Sequence, residues 1–68
     1  MPYRSIADLP PGVSEPLPIH AREIFLAAFN NAFVQYADRP DREATAFRVA
    51  WAAVKRKYRK IGDQWVER

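Results

Sequence analysis

Proline placement constrains this chain more than any other feature. Five of its six prolines, Pro2, Pro10, Pro11, Pro16 and Pro18, fall in the first eighteen residues, and the sixth is Pro40. Proline fixes φ and lacks a backbone donor, so the opening segment cannot be a long helix or a central strand. Tyr3-Arg4-Ser5-Ile6 fits a short edge strand, and Val13 to Leu17 fits one helical turn. Tyr3, Ile6, Leu9, Val13 and Leu17 recur as apolar anchors, which predicts a segment lying ordered across the helices.

A long helix is predicted from Pro18, since proline suits the first helical position, where its missing N–H would be unpaired anyway. Ala21, Phe25, Ala28, Phe29, Ala32, Phe33 and Tyr36 share one face at three- and four-residue steps. Ile24, Leu26 and Val34 lie off it, and so wide an apolar girth implies burial on more than one side. The helix must stop before Pro40, which disfavours helical geometry in the residue preceding it. After a tight turn, in which Asp38 or Asp41 can cap, a second helix is expected from Asp41 to Lys60. Its apolar face holds Ala44, Phe47, Trp51, Val54 and Tyr58, with Ala50 beside them, and Gly62 is placed to end it. Gln64-Trp65-Val66-Glu67 alternates polar and apolar and reads as a strand, with Tyr3 to Ile6 as its expected partner. The reading is a mainly α (α+β) chain: two long antiparallel helices, a short N-terminal helix and a small two- or three-stranded sheet from the chain ends. All 68 residues are read as a single domain.

A chain this short needs a dense core, and 49% hydrophobic residues with nine aromatics supply one. There is no cysteine, which excludes disulfides, thiolate metal sites and a cysteine nucleophile, and fits a reducing compartment. No apolar run approaches a membrane span, and no secretory signal pattern opens the chain, so a soluble cytoplasmic protein is expected. His20 is the lone histidine and is assigned a capping or surface role. The two glycines are too far apart for a phosphate loop. The expectation is therefore no catalytic residue, no metal and no cofactor.

One feature stands above this background. Residues 48–60 hold Arg48, Lys55, Arg56, Lys57, Arg59 and Lys60 and no acid. On a continuous helix Arg48, Lys55 and Arg59 line one edge, with Arg56 next to it. An ordinary solvated face mixes signs, so Arg48, Lys55, Arg56 and Arg59 are the candidate partner-binding residues. Phe25, Phe29, Phe33, Phe47, Trp51, Val54 and Tyr58 are the candidate core, and Tyr3 and Trp65 are assigned to it as well.

The ordered set Met1-Pro2-Tyr3, Asp8-Leu9-Pro10, Leu17-Pro18, His20-Ala21, Ala28-Phe29-Asn30, Gln35-Tyr36, Thr45-Ala46 and Val49-Ala50-Trp51-Ala52-Ala53-Val54-Lys55, with Tyr58 and Trp65, resembles the ChaB family of small bacterial proteins. The resemblance spans essentially the whole chain. It implies three helices and a small sheet in a packing compared with the cyclin box. It also implies a regulator of cation transport, through the family's association with a sodium- or calcium-proton antiporter. Related domains joined to a nucleic-acid-binding domain of the transcription-terminator type point to a second kind of partner. The turn from Asp38 to Glu43 is short, where relatives can carry a longer acidic loop. Asn30, polar beside an apolar face, is expected to anchor the N-terminal segment or the strand by bonding backbone groups. The leading expectation is a non-catalytic, monomeric regulatory module. It would bind an acidic protein partner, in the family's terms the cytoplasmic face of a cation antiporter. The alternative is a nucleic-acid-binding accessory domain using the 48–60 stripe.

Overall fold

The central helix is covered on more than one side, with Ile24 and Leu26 partly buried against the core. Its apolar girth is narrower than expected, because Val34 stays exposed. A computed structural model describes residues 3–68, and Met1 and Pro2, part of the resemblance above, lie outside them. The elements in order are a 3₁₀ turn (Ile6–Asp8), α1 (Pro11–Ser14), α2 (Ile19–Gln35), α3 (Arg42–Lys57), β1 (Tyr58–Ile61) and β2 (Gln64–Glu67). Pro18 is the N-cap of α2 and its carbonyl accepts the Arg22 N–H at 2.9 Å. Arg22 Nε in turn donates to the Leu17 carbonyl at 2.8 Å, fixing the entry of the chain into the helix.

Ala21, Phe25, Phe29, Ala32 and Phe33 are the buried residues of α2. One side of this helix meets α3, and Leu9, Val13 and Leu17 of the N-terminal segment complete the same buried cluster. Full burial of the Phe, Leu and Val side chains among these is worth about 1.5–3 kcal/mol each. The aromatic rings interlock. Phe29 lies 4.8 Å from Phe47, 5.0 Å from Tyr3, 5.8 Å from Phe33 and 6.2 Å from Phe25, centroid to centroid.

The two long helices are antiparallel. At one end Arg42 Nε donates to the Phe33 carbonyl at 2.8 Å, with its guanidinium 3.8 Å over the Phe33 ring. At the other end Tyr58 Oη and His20 Nδ1 are 3.2 Å apart, a hydrogen bond between the end of α3 and the start of α2. The contact face of α3 is rotated from the predicted one: Ala46, Ala50 and Val54 are buried, Phe47 and Trp51 are half-buried, and Ala44 is exposed. Small residues at a four-residue spacing let the two backbones approach, and the larger rings flank that seam.

The chain ends differ from expectation. The second helix stops at Lys57, not Lys60, and Tyr58–Ile61 pairs antiparallel with Gln64–Glu67 around Gly62-Asp63. The register is Tyr58↔Glu67, Arg59↔Val66, Lys60↔Trp65 and Ile61↔Gln64. Tyr3 to Ile6 is not a strand, and among the described residues the sheet comes from the C-terminal end alone. Hairpin closure over two residues costs far less chain entropy than pairing the two termini. Gly62 has φ 59°, and a Cβ there would meet nothing within 4 Å. The cost of a side chain is therefore conformational, and Gly62→Ala is expected to lose about 1–2 kcal/mol in a denaturant titration.

Candidate partner-binding surface

Charged side chains must stay in water unless paired, so the cations of α3 and β1 collect on the outside of this packing. Arg48, Lys55, Arg56, Lys57, Arg59 and Lys60 are all exposed. The helix end at Lys57 rearranges the predicted stripe. Arg59 belongs to β1, opposite Val66, and does not continue the helical edge of Arg48 and Lys55. Neighbouring helix positions point about 100° apart, and Lys55 and Arg56 accordingly face different grooves. Lys55 shares one with Trp51, Lys60 and Trp65. Arg56 borders another, between α2 and α3, with Ala32, Gln35 and Ala53. Lys60 and Trp65, absent from the predicted site, thus join Lys55. A hairpin reading of Gly62-Asp63 would have found them.

Arg48 has a 74% exposed side chain, and its nearest carboxylate is Asp41 at 3.9 Å. Exposed pairs of this kind contribute little to stability. Asp41 sits at the N-cap of α3 but makes no side-chain cap bond. Its carboxylate instead accepts from Arg39 at 3.0 and 3.2 Å, which holds its pKa below the usual value. The far end of α3 is closed by Arg68: its backbone N–H donates to the Lys57 carbonyl and its Nε to the Lys55 carbonyl, both at 2.8 Å. Helices leave their last carbonyls unpaired, and a cation is favoured there.

The predicted core residues divide into two groups. Phe25, Phe29, Phe33, Val54 and Tyr58 are buried, whereas Phe47 and Trp51 are half-buried around them. Trp65 also keeps part of its surface in water and stacks on Trp51, centroids 5.6 Å apart.

Asn30 makes two bonds to one backbone unit: Nδ2 donates to the Tyr3 carbonyl at 2.8 Å, and Oδ1 accepts the Tyr3 N–H at 3.0 Å. This pins the start of the chain on α2, where the Tyr3 ring covers Phe29. Asn30→Leu is expected to cost about 1–3 kcal/mol despite its added apolar volume, because both Tyr3 groups lose their partner. Thermal denaturation of the variant checks this, and greater stability in the leucine variant would contradict it.

Among the described residues, no group of three His, Asp or Glu side chains is placed to hold a metal ion. Among them also, no helix is long and apolar enough to cross a membrane.

The sequence and the fold have close counterparts. Proteins from Escherichia coli strain K12 and from Shigella flexneri, each named "Putative cation transport regulator ChaB", are 49% identical over 72 residues, covering 96% of this chain and 95% of theirs. An NMR solution structure of a protein of the same description superposes with a TM-score of 0.88 at 46% identity, covering 98% of this chain and 99% of that one. The ChaB family model matches residues 9–68, and with relatives this similar over nearly the full length, this chain belongs to the ChaB family.

Proposed function

We propose that this protein is a non-catalytic regulatory module that acts in the cytoplasm, as a monomer, by docking on an acidic protein partner. The observation that carries the reading is the exposed run of six cations from Arg48 to Lys60, uninterrupted by an acid. Concentrated charge of one sign steers association and selects partners of the opposite sign. The relatives are named as regulators of cation transport, and the described residues offer no helix able to cross a membrane. A regulator of this kind acts by contact, and the acidic partner that fits is the cytoplasmic face of a cation antiporter.

A nucleic-acid accessory role is the second reading, favoured by one observation: the Trp51–Trp65 stack lies beside lysines, a combination that also serves single strands. Affinity capture from native lysate separates the two. The parent is compared with a variant neutralised at Arg48, Lys55, Arg56 and Arg59, with and without nuclease. The proposal expects a protein that survives nuclease and is lost with the variant. Capture that disappears with nuclease would favour the alternative.

A further inference from the structure

Of the two grooves, the one under the hairpin has the more specific chemistry. It measures about 530 Å³ and is lined by Gly12, Pro16, Trp51, Lys55, Lys60 and Trp65. Its floor is aromatic. The indoles of Trp51 and Trp65 stack at 5.6 Å with 29° between planes, and the Phe25 ring meets Trp51 edge-on at 5.1 Å. That second contact anchors the floor to the core. Both indoles are half-buried and keep open surface toward the groove.

Each tryptophan carries its own lysine, by two different rules. Lys55 follows Trp51 by one helical turn, and residues four apart on a helix are neighbours. Lys60 is the cross-strand partner of Trp65 in the hairpin register, and directly opposed side chains on a pair share a face. No acid lines the groove. Among the described residues no carboxylate forms an ion pair with either lysine. Gly12 and Pro16 form the opposite wall, with little relief to block an entering chain.

We propose that this groove is the docking point for an extended acidic peptide segment, with an apolar anchor residue on the Trp51–Trp65 floor and carboxylates on Lys55 and Lys60. The proposal rests on the acidic-partner reading above and places it at a defined site. Charge complementarity selects the sign of the occupant, and the apolar floor selects an anchor that is itself uncharged. The small number of cations favours a peptide over a nucleic acid, because a bound strand needs its phosphates tracked along its length. The two lysines fix two points only.

The test is a titration of the full chain with a short synthetic peptide of aspartate and glutamate around a central leucine-phenylalanine pair. Intrinsic tryptophan fluorescence is the readout, and a thymidine oligonucleotide is the comparison ligand. The peptide is expected to perturb the emission and to lose its effect when the central pair is replaced by alanines. Lys55→Glu with Lys60→Glu should weaken binding about tenfold or more, the scale of losing charge-assisted contacts. Gly12→Glu should also weaken it, because a Cβ at Gly12 meets nothing within 4 Å and the new carboxylate would sit at the groove wall. Gln35→Glu makes the same change in net charge in the other groove and should leave binding intact. Circular dichroism confirms that each variant is folded.

If the peptide binds equally well to the Lys55/Lys60 variant but is lost on neutralising Arg48, Lys55, Arg56 and Arg59, the groove assignment fails and the acidic-partner reading stands. Absence of peptide binding overturns the proposal. Binding of the oligonucleotide in its place overturns the acidic-partner reading as well.

Discussion

Phe29→Ala is expected to remove most of the stability of this protein. The ring is fully buried and touches four other aromatics, Tyr3, Phe25, Phe33 and Phe47, so it joins α2, α3 and the N-terminal segment at one point. Truncating a buried phenylalanine costs about 3–5 kcal/mol, the lost transfer energy plus the cavity left behind. Native domains hold only about 5–15 kcal/mol in total, and one this small belongs at the lower end. Each kcal/mol moves the midpoint of such a domain by about 4–8 °C, so the melting temperature should fall by tens of degrees. Trp51→Ala should cost less, because the indole is half-buried and its removal opens onto a groove that water already reaches. Thermal melts of the two variants side by side check the assignment. A larger loss for Trp51 would mean that the core is centred on the outer stack.

The second large effect is on binding. Neutralising Arg48, Lys55, Arg56 and Arg59 together is expected to abolish partner binding while leaving the melting temperature within a few degrees of the parent's. The fold should survive because all four are exposed, and the ion pair that Arg48 makes with Asp41 at 3.9 Å is a surface pair. Binding should fail because these side chains carry most of the concentrated charge on the chain. Salt dependence adds a second readout. A duplex-DNA complex weakens with a log–log slope of about −0.9 per phosphate contact, and losing four contacts would flatten it. An acidic protein partner shows a milder dependence, expressed mainly in the association rate.

Much of the helical frame was legible because proline and apolar period agree. Pro18 and Pro40 bracket α2, and Phe25, Phe29, Ala32 and Phe33 repeat at helical steps between them. The phase of α3 was harder. Ala46 and Ala50 carry little apolar weight in a sequence, yet they make the buried seam, while the heavier Phe47 and Trp51 flank it. Close helix approach rewards small residues, and a count of large apolar groups does not register that.

The end of α3 is hard to place from sequence for a related reason. Tyr58 continues the apolar stripe at the correct step, and Arg59 and Lys60 suit the negative end of a helix dipole. Those local signals favour three more residues of helix. The competing signal is the two-residue Gly-Asp turn between Tyr58–Ile61 and Gln64–Glu67, a recognised hairpin pattern. The hairpin prevails because it lays Trp65 on Trp51 and brings Arg68 to the open carbonyls of α3. Both contacts are tertiary and invisible to a local reading. The basic run was legible as charge, but its division between two grooves depends on where the helix stops. The role of Asn30 was easier to anticipate, since an amide beside a phenylalanine face needs partners and the proline-rich segment has backbone groups to offer.

The proposed interface is the face made by α3 and the hairpin, with an acidic protein as its occupant. The most direct measurement is a map of backbone amide and indole N–H shifts in ¹⁵N-labelled protein, as the nuclease-resistant captured partner is added. The predicted result is that both tryptophan indole signals and the amides of 48–60 and 64–67 move, while those around Ile19 and Val34, exposed elsewhere on α2, stay in place. Perturbations centred on Ile19 and Val34, with the indoles unmoved, would contradict it.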